Sequence, residues 1–218
     1  MTIPKLALIA LGAAALTAAG PSAQAYSIYN TLGGAENGGD PLAVAGPVLA
    51  DWFMSTAGPS VLNSVTLNLA LDAAANTGFN IVVTRLDANL HATTIVPIAS
   101  VSDSSLTNTF QTYTYTMGTR YTMLPGSFYV VAVIDMGGSS AVWGNTVDPA
   151  VLARPDVIAG AFYYNTAGGV QANAGGPYEL NVDAGAVPEP AAWLLTLVGL
   201  GGLGVALRAT RRTRAVPA

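Results

Sequence analysis

Apolar and polar side chains alternate with a period of two through much of this chain. Val65, Leu67, Leu69 and Leu71 are separated by Thr66, Asn68 and Ala70, the pattern of a strand with one buried face. Phe79, Ile81 and Val83 repeat it with Asn80 and Thr84 on the other side. Asp87, Ala88 and Asn89 then predict a hairpin turn, and a returning strand within Ala92 to Val101. Pro97 has no N–H to give a ladder, so that strand is expected at an edge or a bulge. Between Phe110 and Met117, Phe110, Thr112, Thr114 and Thr116 share one face, with Gln111, Tyr113 and Tyr115 on the opposite one. Leu124, Pro125 and Gly126 predict a turn into Ser127–Met136, whose Phe-Tyr-Val-Val-Ala-Val-Ile run is the most strand-like stretch. Shorter strands are expected in Trp52–Ser55, Ala141–Gly144, Ile158–Asn165 and Tyr178–Val182. No long amphipathic helix is predicted between Tyr26 and Ala186. The pattern predicts an all-β fold, an antiparallel, jelly-roll-like β-sandwich of about eight or nine strands. A closed barrel is the alternative, and the long outward apolar band of an outer-membrane barrel is missing. Two glycine-rich stretches, Gly33–Gly46 and Ala167–Pro177, are expected as surface loops.

The two ends break this period. Met1–Ala25 has a basic start at Lys5, an apolar run from Leu6 to Ala19, and Ala23-Gln24-Ala25, the layout of a secretory signal cleaved before Tyr26. Pro21 ends its helix and offers the peptidase an extended segment. An uncleaved membrane helix is the competing reading. At the other end, Pro188 and Pro190 stop the preceding structure. Ala191–Leu207 carries no charge and would span about 26 Å as a helix, close to the hydrocarbon core of a bilayer. Its leucines and valines favour insertion by about 4 kcal/mol in all. Gly199, Gly201, Gly202 and Gly204 weaken the helix. Arg208, Arg211, Arg212 and Arg214 follow as a stop that holds the tail on the cytoplasmic side. A terminal helix docked on the core is the alternative. The expected organisation is a signal peptide (1–25), an exported sandwich (26–186) and a C-terminal segment (187–218) containing a transmembrane helix at 191–207.

Val187-Pro188-Glu189-Pro190, the short glycine-leucine run and the terminal arginines together resemble the PEP-CTERM sorting signal. That resemblance covers about the last thirty residues. It implies an exported bacterial protein processed by signal peptidase and then by an exosortase, a membrane transpeptidase-like sorting enzyme. It also implies transient anchoring in the inner membrane with the C-terminus cytoplasmic, and delivery to the envelope, outer surface or exterior of bacteria that make exopolysaccharide. A second resemblance rests on Asp51-Trp52-Phe53-Met54-Ser55-Thr56-Ala57, Leu62-Asn63-Ser64-Val65-Thr66-Leu67 and Leu124-Pro125-Gly126-Ser127-Phe128-Tyr129-Val130. These are similar to the sandwich ectodomains called "choice-of-anchor" domains, and they imply the fold rather than a ligand.

Charge and composition narrow the chemistry. Between Tyr26 and Ala186 there are three arginines, no lysine and eleven carboxylates, a formal −8 against −4 for the whole chain. Such a surface repels nucleic acid and anionic lipid. The chain has no cysteine and one histidine, His91. That is too little for structural zinc, and a Ser-His triad would have to use His91 alone. No serine sits in a Gly-x-Ser-x-Gly elbow, and without lysine a Ser-Lys dyad is excluded. No catalytic residue is assigned, and the protein is expected not to be an enzyme. No cofactor is required. Calcium is the one candidate ion, with hard oxygen donors from Glu36, Asn37 and Asp40 in a glycine-rich stretch and a weaker cluster at Asp148 and Asp156. Trp52 and Trp143 are candidates for stacking on sugar rings. Two functions follow: a non-catalytic envelope or matrix protein associated with exopolysaccharide and biofilm, or a secreted carbohydrate-binding module supported by calcium.

Overall fold

The computed structural model describes residues 25–34, 36–42, 48–55, 58–74, 77–148, 161–165, 169–172 and 175–186. The expected signal helix, the Pro-Glu-Pro motif, the spanning helix at 191–207 and the arginine cluster lie outside the described residues. Among the described residues, no helix is long and apolar enough to cross a membrane. One compact unit spans Ala25–Ala186.

Among the described residues, twelve strands build this unit, all paired antiparallel: β1 (Ala25–Asn30), β2 (Glu36–Pro41), β3 (Val48–Met54), β4 (Ser60–Leu71), β5 (Gly78–Leu86), β6 (Ala92–Ser102), β7 (Gln111–Met123), β8 (Phe128–Asp135), β9 (Ala141–Thr146), β10 (Ala161–Asn165), β11 (Gly169–Ala172) and β12 (Leu180–Ala186). They form two six-stranded sheets. The first follows the order β1-β12-β4-β9-β2 with β7 also on β4, and the second β11-β10-β3-β8-β5-β6. Most connections cross from one sheet to the other, and only β5–β6 and β10–β11 join neighbours in sequence. The count exceeds the eight or nine strands expected. The Gly33–Gly46 stretch is not wholly loop, because β2 pairs with β9. Ala167–Pro177 likewise contains β11, which pairs with β10. Both strands are rich in glycine and polar residues, so they lack the apolar alternation that marks a strand in sequence.

A single hydrophobic cluster fills the space between the sheets. The first sheet contributes Val65, Leu67 and Leu69, and the second Phe79, Ile81 and Val83, every one of them buried. Each of these lies on the face that its period-two pattern predicts. Aromatic rings link the layers: Tyr29 of β1 lies 5.7 Å from Phe53 of β3, and Phe53 stacks on Tyr129 of β8 at 5.8 Å. Tyr113, Tyr115 and Tyr121 of β7 pack half-buried against this cluster, while Thr112, Thr114 and Thr116 face outward. Pro97 falls in the edge strand β6, beside a register shift where Ile81 pairs with Ala99 and Val82 with Pro97. The expected turn at Asp87–Asn89 joins β5 to β6.

The central strands of the second sheet, β3 and β8, are apolar on their outer face too. On β3, Leu49, Asp51 and Phe53 point to the core, which turns Val48, Ala50 and Trp52 outward. On β8, Tyr129, Val131 and Val133 point inward and Val130, Ala132 and Ile134 outward. The unbroken apolar run of β8 thus serves two surfaces, of which the sandwich covers one.

Candidate functional site

The outer face of the second sheet holds a groove of about 550 Å³. Its floor follows from the register. Ala50, Ala132 and Val82 stand in one cross-strand row, flanked by the rows Trp52–Val130–Thr84 and Val48–Ile134–Asn80. Two alanines side by side on the central strands leave a hollow between bulkier neighbours. Leu86 on β5, with Leu90 and Ile95 beyond it, extends the lining towards the β5–β6 hairpin. The described lining carries no ionisable side chain, and its one hydroxyl, Thr84, donates to the Arg85 carbonyl at 3.2 Å.

Trp52 lines one end of the groove. Its ring lies 5.7 Å from Phe128, and its Nε1–H is buried with no acceptor. Leaving such a donor without a partner costs about 1–3 kcal/mol. The rim carries a second local cost. Leu90 has φ +62°, the left-handed region, which costs a residue with a Cβ about 1–2 kcal/mol. The hairpin enforces it: Leu90 N donates to the Asp87 carbonyl at 3.0 Å and Asp87 N to the His91 carbonyl at 2.9 Å. The Asp87 carboxylate also accepts from Asn89 N at 2.8 Å and His91 N at 2.9 Å, and these backbone donors hold its pKa below the usual range. The turn sets an apolar side chain, 57% exposed, at the mouth of an apolar groove, and Ile95 beside it is 60% exposed.

The residues singled out from sequence go elsewhere, with Trp52 the exception. Trp143 is 1% exposed. It stacks on Tyr178 at 4.6 Å and donates its Nε1–H to the Glu179 carbonyl at 3.1 Å, so its ring faces are core surface and offer a sugar nothing. Asp40 accepts from the Tyr178 hydroxyl at 2.9 Å. Glu36 and Asn37 lie on β2, and their side chains are outside the described residues, as is Asp156. Among the described residues no group of three or more His, Asp or Glu is placed to hold a metal ion. The His91 side chain is 78% exposed, with Nδ1 at 3.9 Å from Asp87. Ala25 and Tyr26 open β1, and Ala23 lies outside the described residues.

The other acids serve the fold. Asp103 is buried and accepts from Ser139 Oγ at 2.7 Å and Ser140 N at 2.9 Å, tying the 3-10 turn at Asp103–Ser105 to the β8–β9 corner. In that corner Gly137, Gly138 and Ser139 all donate backbone N–H groups to Asp135 at 2.8–3.0 Å. Partial burial disfavours its charge, yet these donors outweigh that and hold Asp135 below the ordinary carboxylate range. Glu179 accepts from Asn68 Nδ2. Asp51 is the exception in sign. It is fully buried between the sheets, and burial raises its carboxyl well above the usual range, against the pull of Trp52 N–H, the Tyr29 hydroxyl and Tyr178 N–H.

The described residues therefore form an all-β unit of two antiparallel sheets, whose last strand, β12, ends at Ala186. The model for the PEP-CTERM protein-sorting motif matches residues 186–212, and the chain carries that motif. The motif implies processing by an exosortase, and export to the cell surface or beyond. No curated protein matches the chain. Among solved structures, the cysteine protease and lectin-like domains of Cwp84, a surface layer associated protein of Clostridium difficile, are similar at a TM-score of 0.41 and 9% identity. That likeness covers 65% of this chain and 32% of the other, so this chain matches about a third of its length.

Proposed function

We propose that this is a non-catalytic exported protein whose sandwich, Tyr26–Ala186, is cargo delivered to the envelope or extracellular matrix by exosortase sorting. There it acts by adhesion or assembly, beside exopolysaccharide. The observation that carries the proposal is the sorting motif at 186–212, which starts where β12 stops. The bonding of the acids supports the non-catalytic part. Asp103, Asp135 and Asp87 accept hydrogen bonds from turn and corner donors, and Asp51 is buried in the core. The carbohydrate-module reading has less support, because Trp143 is buried and Trp52 lines a surface with almost no polar groups to satisfy sugar hydroxyls.

Fractionation of producing cells with intact-mass measurement tests this. The expected product lacks the residues before Tyr26, ends near Val187–Pro190, and lies outside the inner membrane. Replacing Pro188, Glu189 and Pro190 by alanine is expected to trap an uncut form in the inner membrane. An untouched chain found free in the cytosol overturns the proposal.

A further inference from the structure

We propose that the outer edge of β7 pairs antiparallel with the same edge of a second copy of the chain, about a two-fold axis at Thr114. The proposal rests on the reading of the sandwich as an assembling envelope protein, and it gives that assembly a surface. The register leaves this edge open. Leu67 of β4 pairs with Tyr113 of β7 on one side and with Leu180 of β12 on the other, so β7 closes its side of the first sheet. Leu71 N donates to the Thr107 carbonyl, on the β7 side, and Asn68 N to the Glu179 carbonyl, on the β12 side. Backbone direction alternates along a strand, so Val65, Leu67 and Leu69 are the residues bonded to Tyr115, Tyr113 and Gln111. The N–H and C=O groups of Thr112, Thr114 and Thr116 then point away from β4, and no strand meets them among the described residues. The 2.8 Å contact between the Thr66 and Thr114 hydroxyls agrees, since side chains approach most closely at pairs without ladder bonds.

The sequence of this edge fits a copy of itself. Thr112-Tyr113-Thr114-Tyr115-Thr116 reads the same in both directions. An antiparallel partner centred on Thr114 therefore sets threonine against threonine and tyrosine against tyrosine, both favourable cross-strand pairs. About six new ladder bonds follow, and a self-complementary patch is what a two-fold dimer requires. The other edges carry features that discourage pairing. β6 has Pro97 and two register shifts, β1 and β2 each have one shift, and β11 is only four residues long. β7 has no proline, and no carboxylate although the exported domain has eleven. Its one charge, Arg120, and the irregular register between Thr116 and Tyr121 confine the pairing to the palindromic half.

The chain has no cysteine, so single cysteines placed in the full chain report the register. Opposed residues of a hydrogen-bonded antiparallel pair have Cα atoms about 5.5 Å apart, within reach of a disulfide. Two copies of Thr112, or of Thr116, would lie about 13 Å apart along the strands, beyond that reach. Under mild oxidation Thr114→Cys is expected to link to itself about fivefold more than Thr112→Cys or Thr116→Cys alone, and a mixture of those two to link again. Association through the apolar C-terminal run has no such register and adds the same background to each. Adding Thr114→Lys, which opposes two ammonium groups, is expected to abolish linkage in the mixture. Thr114→Pro, which removes only the outward N–H, is expected to do the same. Far-UV dichroism and Tm verify that each variant is folded. Equal linkage by the three single cysteines overturns the proposal, as does no linkage in any of them. A folded Thr114→Lys mixture that links as well as its parent also overturns it. Pairing is read on purified protein and sorting in cells, so a chain that is cut and exported but does not pair refutes the edge alone.

Discussion

At the scale of single residues, the sandwich keeps its polar chemistry at structural joints, and Asp51 is the one that titrates against the fold. It stands on β3 among core side chains, with its carboxyl bonded to Tyr29 at 3.2 Å and to the Trp52 N–H at 2.8 Å. A raised folded-state pKa means that the unfolded chain gives up this proton first. Its contribution to stability is therefore complete below the unfolded value of about 3.9 and is lost as pH rises through the folded value. Asp51→Asn keeps an acceptor for Trp52 and has no proton to lose. It is expected to melt higher than wild type at pH 8 and to match it near pH 3.5, and parallel melting curves across that range would contradict this account. Asp135 has the opposite sign: its lowered pKa adds stability above about pH 4 that is lost as acid protonates it. Asp135→Ala leaves three N–H groups of the β8–β9 corner without their acceptor and is expected to cost about 1–3 kcal/mol in urea unfolding at pH 7. Gly137 and Gly138, at φ +112° and +104°, are what let that corner close on the carboxylate.

At the scale of elements, strands with one polar face were legible and strands of other composition were not. Val65–Leu69 and Phe79–Val83 place their alternating apolar residues in the core, and the alternation of β7 separates exposed Thr112, Thr114 and Thr116 from half-buried Tyr113 and Tyr115. β2, with the sequence Glu-Asn-Gly-Gly-Asp-Pro, carries no apolar period, because its place is set by its partner β9 rather than by its own burial. Trp143 was misjudged for a related reason. Short β9 is buried on both faces, and nothing in Ala-Val-Trp-Gly-Asn-Thr distinguishes a doubly covered strand from a half-exposed one. The groove did leave a trace in sequence. The continuous apolar runs of β3 and β8 demand cover on two faces, and only the register, by aligning Ala50 with Ala132, shows that the second cover is a hollow. Edge position was legible through Pro97, and it makes a prediction of its own. Pro97→Thr restores a backbone donor to the edge strand β6. It is expected to speed concentration-dependent association, read by light scattering at 37 °C, with little change in Tm.

At the scale of the whole molecule, charge is divided between two jobs. The sandwich is acidic and lysine-free, which keeps an exported surface away from anionic lipid, while half of the chain's eight basic side chains are gathered at Arg208, Arg211, Arg212 and Arg214. Each arginine that must cross a hydrocarbon core adds about 2.5–3.5 kcal/mol to the cost of translocation, so on the proposed sorting route four in seven residues would hold the tail on the cytoplasmic side. The preceding run is only weakly apolar because of its glycines, so on that route retention would depend on the arginines more than behind a leucine-rich span. Replacing all four by glutamine is expected to let a large share of chains pass through the membrane uncut, recovered outside the cell with a mass that still includes residues up to Ala218. Replacing one alone is expected to change sorting little. Efficient cutting of the four-glutamine chain would place the determinant in the Pro-Glu-Pro segment and leave the arginines without a retaining role.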